Sequence, residues 1–384
     1  MTAPVYIHGF GLTSATGIGL AAHRQVLWES KESPLTKTDQ FSPGRELALG
    51  LVTAELPNVD FAEPSQRSRN NQLLWSAWLQ LLPIWSRLDI DPARVAIVLG
   101  TSTSGIRESE ASFQPESELP LDYPRQQIAA PAAFLADQLG VTGPAYTLST
   151  ACTSGAKALA TGRRLLQSGL VDWVIAGGAD ALCGLTVNGF AALDAVSTDI
   201  CQPMSVNRCG INIGEGAALF LLSNQPAKLA ITGAGESSDA HHISAPEPTG
   251  AGAEVAIRAA LDDAALAPSA IGYVNLHGTA TALNDKMEAA VILRLLDKVP
   301  CSSTKPYMGH TLGAAGALEA GLCALALTDA KLPLHLWDGC VDADLAPLNL
   351  VSSTSQNDSH ARHALSTSFA FGGNNIALIV SKID

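Results

Sequence analysis

Charge is scarce in this chain, and aromatic side chains are scarcer: 15% of its 384 residues are charged and 5% aromatic, against 47% apolar. With so little charge to solvate them, its helices and strands are expected to be buried on several sides, as in layered α/β proteins. No apolar run approaches the roughly 18–20 residues that a membrane span needs, so no span is expected. The opening "MTAPVYIHGFGL" lacks a basic n-region, which argues against a cleaved secretory signal. None of the seven cysteines (152, 183, 201, 209, 301, 323, 340) forms a CxxC pair. Neither a disulfide framework nor a zinc site is therefore indicated, and a reducing cytoplasm is the expected setting. No basic patch stands out against a formal charge of −13, which argues against nucleic acid as a partner.

What is present is glycine (33 residues) and alanine, suited to close helix–sheet packing, in a chain long enough for two or three domains or one large α/β unit built from two halves. The runs 95–100, 173–179 and 217–223 read as buried strands, as do 271–278 and 376–382. Helical patterns cover 132–140, 155–169, 253–266, 286–298 and 314–327. A seam at "NQPAK" (224–228) suggests a division into residues 1–225 and 226–384. Across it, "PVYIHGFGLTSATG" resembles "AKLAITGAGESSDA", and Cys152-Thr153-x-Gly155-Ala156 parallels His310-Thr311-x-Gly313-Ala314. Either the halves are a duplication that places Cys152 and His310 at equivalent helix starts, or two alanine-rich helices resemble one another by chance.

The stretch "TLSTACTSGAKAL" sets Cys152 between a strand-like and a helix-like run. A helix N-terminus lowers a thiol's pKa, which makes Cys152 a candidate nucleophile; the alternative is an inert buried thiol. His277 follows an apolar strand in "NLHGTATALND", and Lys305 precedes His310 by five residues in "SSTKPYMGHTLGAAGALEA". "SFAFGGNN" offers Phe371 ahead of two glycines, a turn whose backbone N–H groups can approach a ligand. Together these supply a nucleophile, two nitrogen bases or donors, a cation and a candidate oxyanion hole.

These four segments, in this order, resemble the β-ketoacyl-[acyl-carrier-protein] synthases of the thiolase superfamily, and the second histidine in "GHTLGAAGA" matches their elongating Cys-His-His type. The resemblance implies a thiolase-like fold of two βαβαβαββ halves in five α-β-α-β-α layers, with Cys152 in the first half and both histidines in the second. It implies decarboxylative Claisen condensation of a Cys152-bound acyl chain with a malonyl group on an acyl carrier protein, in fatty-acid, polyketide or polyene synthesis. His277 and His310 would promote decarboxylation, and Lys305 would support His310 and pair with Glu319. Phe371 would serve both as oxyanion-hole donor and as gate, Thr279 and Thr281 would bind the phosphopantetheine arm, and Phe190 and Thr103 would line the substrate site. No metal or further cofactor is implied. The implied partners are the carrier protein and a second subunit, either identical or a homologous chain-length factor. The carriers are acidic, so a local basic patch is expected, and Arg67 and Arg69 are the candidates; a solvated helix start is the alternative.

Three departures point to a specialised ketosynthase. "NRCGINIGEG" stands where relatives carry Arg-Asp-Gly-Phe, Asp194 stands where many carry a base, and the turn after "VLG" reads "TSTSG". The competing readings are a non-catalytic chain-length-factor-like subunit, a thiolase-like coenzyme A acyltransferase and a cysteine hydrolase. The first loses the active cysteine, which is present here, and the second needs a cysteine in the C-terminal glycine turn, which is absent.

Overall fold

The structure is a computed structural model that describes residues 4–114, 116–353 and 359–384. The elements that carry the site fall into two series. The first runs β1 (Val5–Ser14), α1 (Arg69–Leu79), β2 (Val95–Gly100), α2 (Ala130–Leu139), β3 (Ala145–Leu148), α3 (Ser154–Gln167), β4 (Trp173–Asp180), α4 (Gly184–Ala192) and β5 (Gly216–Ser223). The second runs β6 (Leu229–Ser238), α5 (Ala251–Ala264), β7 (Tyr273–Asn275), α6 (Ala282–Leu296), β8 (Pro300–Ser302), α7 (Ala315–Asp329), β9 (His363–Phe369) and β10 (Asn374–Lys382). The connection 224–228 lies between them.

Strands β2, β4 and β5 are buried at every position. That explains why they read as unbroken apolar runs rather than as alternation. Hydrogen bonding orders the first series β3-β2-β4-β5-β1 and the second β8-β7-β9-β10-β6, the same arrangement position for position. In both, the first two pairs of that order are parallel and the last two antiparallel. The two arrays meet where β1 pairs antiparallel with β6, Val5 opposite Ile231 and Ile7 opposite Leu229. This repeat of topology selects duplication over chance likeness of two helices.

Five layers result. Ala156, Leu159 and Ala160 of α3 share a core with Ala317, Leu318 and Leu322 of α7 and with Phe220 and Leu378 of the flanking strands. Helices α1 and α2 cover the outer face of the first sheet through Leu74, Trp78 and Leu135. Helices α5 and α6 cover the second through Ile257, Leu261 and Ile292.

One expectation is corrected here. The segment Leu312–Asp329 is long and apolar enough to cross a membrane, although no such run was expected; it is 89% buried inside the protein. Sandwiched between the two strand arrays, α7 has no face that needs polar residues, and before its last residue its one charged side chain is Glu319, the partner of Lys305.

Candidate active site

The site forms where α3 and α7 begin. After β3 the chain turns sharply: Ala151 takes φ of 53°, the Thr150 N–H donates to Ser154 Oγ at 2.9 Å, and that hydroxyl donates to the Ala151 carbonyl. Cys152 sits at this turn, 5% exposed. In the second half Leu312 likewise takes positive φ, 49°. His310 is fixed ahead of it by its own N–H on the Asn212 carbonyl (2.6 Å) and by its carbonyl, which accepts from the Gly214 N–H (2.9 Å).

The two turns approach because the helices behind them carry only glycine and alanine where they touch. A Cβ on Gly155 would lie 2.9 Å from Ala317 Cβ and from the Gly313 carbonyl oxygen, and one on Gly316 would lie 2.7 Å from Ala156 Cβ. The outcome is a Cys152 Sγ to His310 Nε2 distance of 2.9 Å. His277, just beyond β7, completes the trio: its ring centre is 5.4 Å from that of His310, at 84°. The three donor atoms lie within 4.8 Å of one another.

A cysteine and two histidines so close could in principle ligate a soft cation. The positive charge on Lys305, however, acts on all three residues and opposes a second cation there. Lys305 and Glu319 are both about 1% exposed and meet at 2.5 Å. Burial holds Glu319 above the usual carboxylate range, with Lys305 pulling the other way. Burial first, and the Lys305 charge second, hold His277 and His310 well below the usual imidazole value, so both rings are neutral at physiological pH. No protein atom among the described residues bonds His310 Nδ1.

The expected lowering of the Cys152 pKa is overturned. Burial pushes the thiol up to about 12, and Lys305 together with the backbone N–H groups of Cys152 and Phe371 only partly offsets it. Desolvation of a sulfur 5% exposed outweighs the helix-end field that the sequence pattern indicated. The resting sulfur is therefore a thiol next to a neutral imidazole.

A cavity of about 550 Å³ leads from the surface to Cys152, His277 and His310, and its lining includes Phe190, Thr279, Thr281 and Phe371. The Thr279 and Thr281 hydroxyls bond each other at 2.9 Å. The Phe190 ring, on α4, contacts that of Phe371 at 5.7 Å between centres. The Phe371 N–H points at the Cys152 sulfur, and the following Gly372 and Gly373 take φ of 84° and 82°, a turn that glycine makes without strain. Asp194 also lines the cavity.

Three expected residues are not brought together with the rest. Thr103 is not in the cavity lining; it is 1% exposed and its hydroxyl donates to Asp180 at 2.7 Å. Arg69 faces inward: its guanidinium donates to both carboxylate oxygens of Glu215, which is fully buried, and to the Val52 carbonyl. It is the partner of a buried charge and cannot serve as a docking cation. Arg67 is exposed but bonds the Ala62 carbonyl and lies outside the cavity lining.

Sequence reasoning missed Glu288. Its buried carboxylate accepts from the N–H groups of His277 and Gly278, each at 2.7 Å, and from the Thr367 hydroxyl. Burial raises its pKa to about 7. The available signal was a pair of carboxylates, Asp285 and Glu288, one turn apart on the buried face of α6.

Comparison with known proteins bears on this geometry. Residues 64–227 match the model of the beta-ketoacyl synthase N-terminal domain, and residues 229–336 match that of the C-terminal domain. The chain is 32% identical over 317 residues to 3-oxoacyl-[acyl-carrier-protein] synthase 2 of Vibrio cholerae, covering 76% of each protein. It is 30% identical over 315 residues to the protein of that name in Staphylococcus aureus, again covering 76% of each. Among solved structures it resembles the ketosynthase (ApeO) in complex with its chain length factor (ApeC) from Xenorhabdus doucetiae: TM-score 0.94, 41% identity, 99% of this chain and 98% of that one covered. The ishigamide ketosynthase/chain length factor aligns over the whole of both chains with TM-score 0.88 and 26% identity.

Proposed function

The chain belongs to the β-ketoacyl synthase family, and from that premise we propose how its own residues carry out decarboxylative Claisen condensation on carrier-bound thioesters. The observation that carries the reading is the 2.9 Å approach of His310 Nε2 to Cys152 Sγ beneath a cavity that both histidines line.

In the first step Cys152 Sγ attacks the carbonyl carbon of an acyl thioester. The thiol proton passes to His310 Nε2 and from there to the departing phosphopantetheine sulfur, leaving the acyl group on Cys152. A thiol pushed up to about 12 needs such an acceptor within hydrogen-bond reach. In the second step a malonyl thioester loses CO₂, and the electron pair of the broken C–C bond moves into an enolate. Neutral rings suit this step, because each can present an N–H to the developing oxygen charge. Among the described residues His310 Nδ1 has no protein partner, so none of them locks that ring in one tautomer; it can accept a proton in the first step and donate in the second. In the third step the enolate carbon attacks the acyl-Cys152 carbonyl. The N–H groups of Cys152 and Phe371 receive the oxyanion, and collapse expels the Cys152 thiolate, which takes a proton from water by way of the His310 ring, the original proton having left with the phosphopantetheine thiol.

Lys305 and Glu319 set the field around His310, and Glu288 holds the His277 turn. Thr279 and Thr281 contact the phosphopantetheine arm, and Phe190 with Phe371 gates the cavity. We further propose that the chain is the catalytic member of a pair with a homologous chain-length-factor subunit, working in the cytoplasm. Two of the similar solved structures are complexes of that kind. Exposed Phe113, Leu119, Leu121 and Tyr123, with the edge strand β3, offer an apolar face for the partner.

The test is intact-mass measurement after incubation with acyl-carrier thioesters, followed by malonyl-carrier. The expected result is an acyl adduct on Cys152 that is discharged with release of CO₂ and a 3-oxoacyl-carrier. No adduct with any acyl group offered would overturn the reading.

A further inference from the structure

Asp180 closes β4, a strand otherwise built of apolar and small residues, and is itself fully buried. Every group it touches is a donor. Its Oδ1 accepts from the Thr101 and Thr103 hydroxyls, both at 2.7 Å, and from the N–H groups of Ser102 and Thr103, both at 2.8 Å. Its Oδ2 accepts from the Ser102 N–H at 2.9 Å and, across the boundary between the halves, from the Gly313 N–H at 2.5 Å. Gly313 belongs to the positive-φ turn that separates His310 from α7. It is wedged there, since a Cβ on it would lie 2.6 Å from Asp180 Oδ2 and 2.8 Å from the Ser102 nitrogen. Five donors and no cation converge on one carboxylate, which binds the turn 101–104 of the first half to the His310 turn of the second.

We propose that Asp180 is a positioning residue for the condensation step, holding the His310 turn in register with Cys152 through Gly313. The inference rests on the reading above for what His310 does, but the geometry of the link does not depend on it. An all-acceptor group is required. In a carboxamide the oxygen stays with the four donors at the Oδ1 position, and the NH₂ then faces the Gly313 and Ser102 N–H groups, donor against donor. Asp180→Asn thus cuts the link to His310 while keeping the turn 101–104. The pH dependence of Cys152 reactivity should change with it, because His310 is the thiol's proton acceptor.

The experiment compares wild type, Asp180→Asn and Thr101→Val, the last losing two hydrogen bonds on the side away from His310, one given to Asp180 and one accepted from the Ser104 N–H. Three quantities are measured per folded molecule: the iodoacetamide alkylation rate of Cys152 between pH 6 and 9, acyl loading, and condensation kcat and KM. For Asp180→Asn we expect complete acyl loading, kcat down about a hundredfold with KM little changed, and an alkylation–pH profile displaced from that of wild type. For Thr101→Val we expect a lower melting temperature with kcat and the alkylation profile as in wild type.

If Asp180→Asn does not fold, Asp180→Glu, which keeps the charge but displaces the turn, takes its place and should show the same kcat defect. An unshifted alkylation profile, a kcat like that of wild type, or failure of both variants to fold would each overturn the proposal in favour of a structural role alone. A wild-type protein that loads but never condenses would overturn the proposed function instead, and the carrier-free alkylation comparison would still decide the role of Asp180.

Discussion

The Lys305 ammonium meets the Glu319 carboxylate at 2.5 Å where both side chains are 1–2% exposed. Such a pair is worth little beyond an apolar replacement, but breaking it strands a buried charge. Lys305→Met alone should cost about 3–5 kcal/mol of stability, whereas Lys305→Met with Glu319→Leu should recover most of that. Neither should condense at a normal rate, since the cation that adds to burial in setting the field around both rings is gone. Urea denaturation beside kcat decides it, and a double variant of full activity would remove Lys305 from the mechanism.

Cys152→Ala should abolish the acyl adduct and leave the melting temperature nearly unchanged, because little volume is lost. His310→Ala should still load, slowly, but not release CO₂ from malonyl-carrier. An adduct of unaltered mass on Cys152→Ala would show that another residue is the nucleophile.

Arg69→Ala removes the nearer of two arginines that pair with fully buried Glu215, leaving Arg107 at 3.6 Å, and should destabilise by about 3 kcal/mol, the lower end for breaking a buried pair. Arg67→Ala, at an exposed position, should stay within about 0.5 kcal/mol of wild type. Equal midpoints for the two in urea would contradict the inward course of the Arg69 side chain.

These two arginines show where sequence reading stops. Both stand just ahead of an apolar helix, and nothing in the string separates the exposed one from the one reaching Glu215, 146 positions away. The positions that the structure brings together at the site were legible because each lies in a local signature of strand end, small-residue turn and helix start. The duplication was legible because a fold built twice leaves its pattern twice. The Cys152 pKa was not, since burial is a tertiary property that overrides the local effect of a helix end. Glu288 was passed over because, apart from the distant Thr367 hydroxyl, its closest partners are the backbone N–H groups of His277 and Gly278, which carry no residue identity.

His335, buried, accepts from the Ser303 N–H on Nδ1 and donates from Nε2 to the Pro203 carbonyl, so burial lowers its pKa to about 4. An unfolded histidine titrates near 6.5, so between those values the unfolded chain binds the extra proton and stability falls with pH. The contribution is complete above about pH 6.5 and shrinks by about 3 kcal/mol on reaching pH 4, at 1.36 kcal/mol per unit. His335→Gln should therefore lose stability less steeply than wild type over that range, and parallel curves would refute the assignment.

The contact of α3 with α7 at Gly155 and Gly316 acts as a gauge block. A glycine of each helix lies against an alanine of the other, and the separation of the two turns is inherited from that contact rather than from any side chain on the perimeter. Surface loops, the outer helices and the cavity walls are free to diverge as substrates change, while a single methyl group at either glycine would prise the reactive sulfur from its base. Attempts to retune this protein for other acyl chains therefore have more latitude at its periphery than along the narrow line of glycine and alanine through its centre.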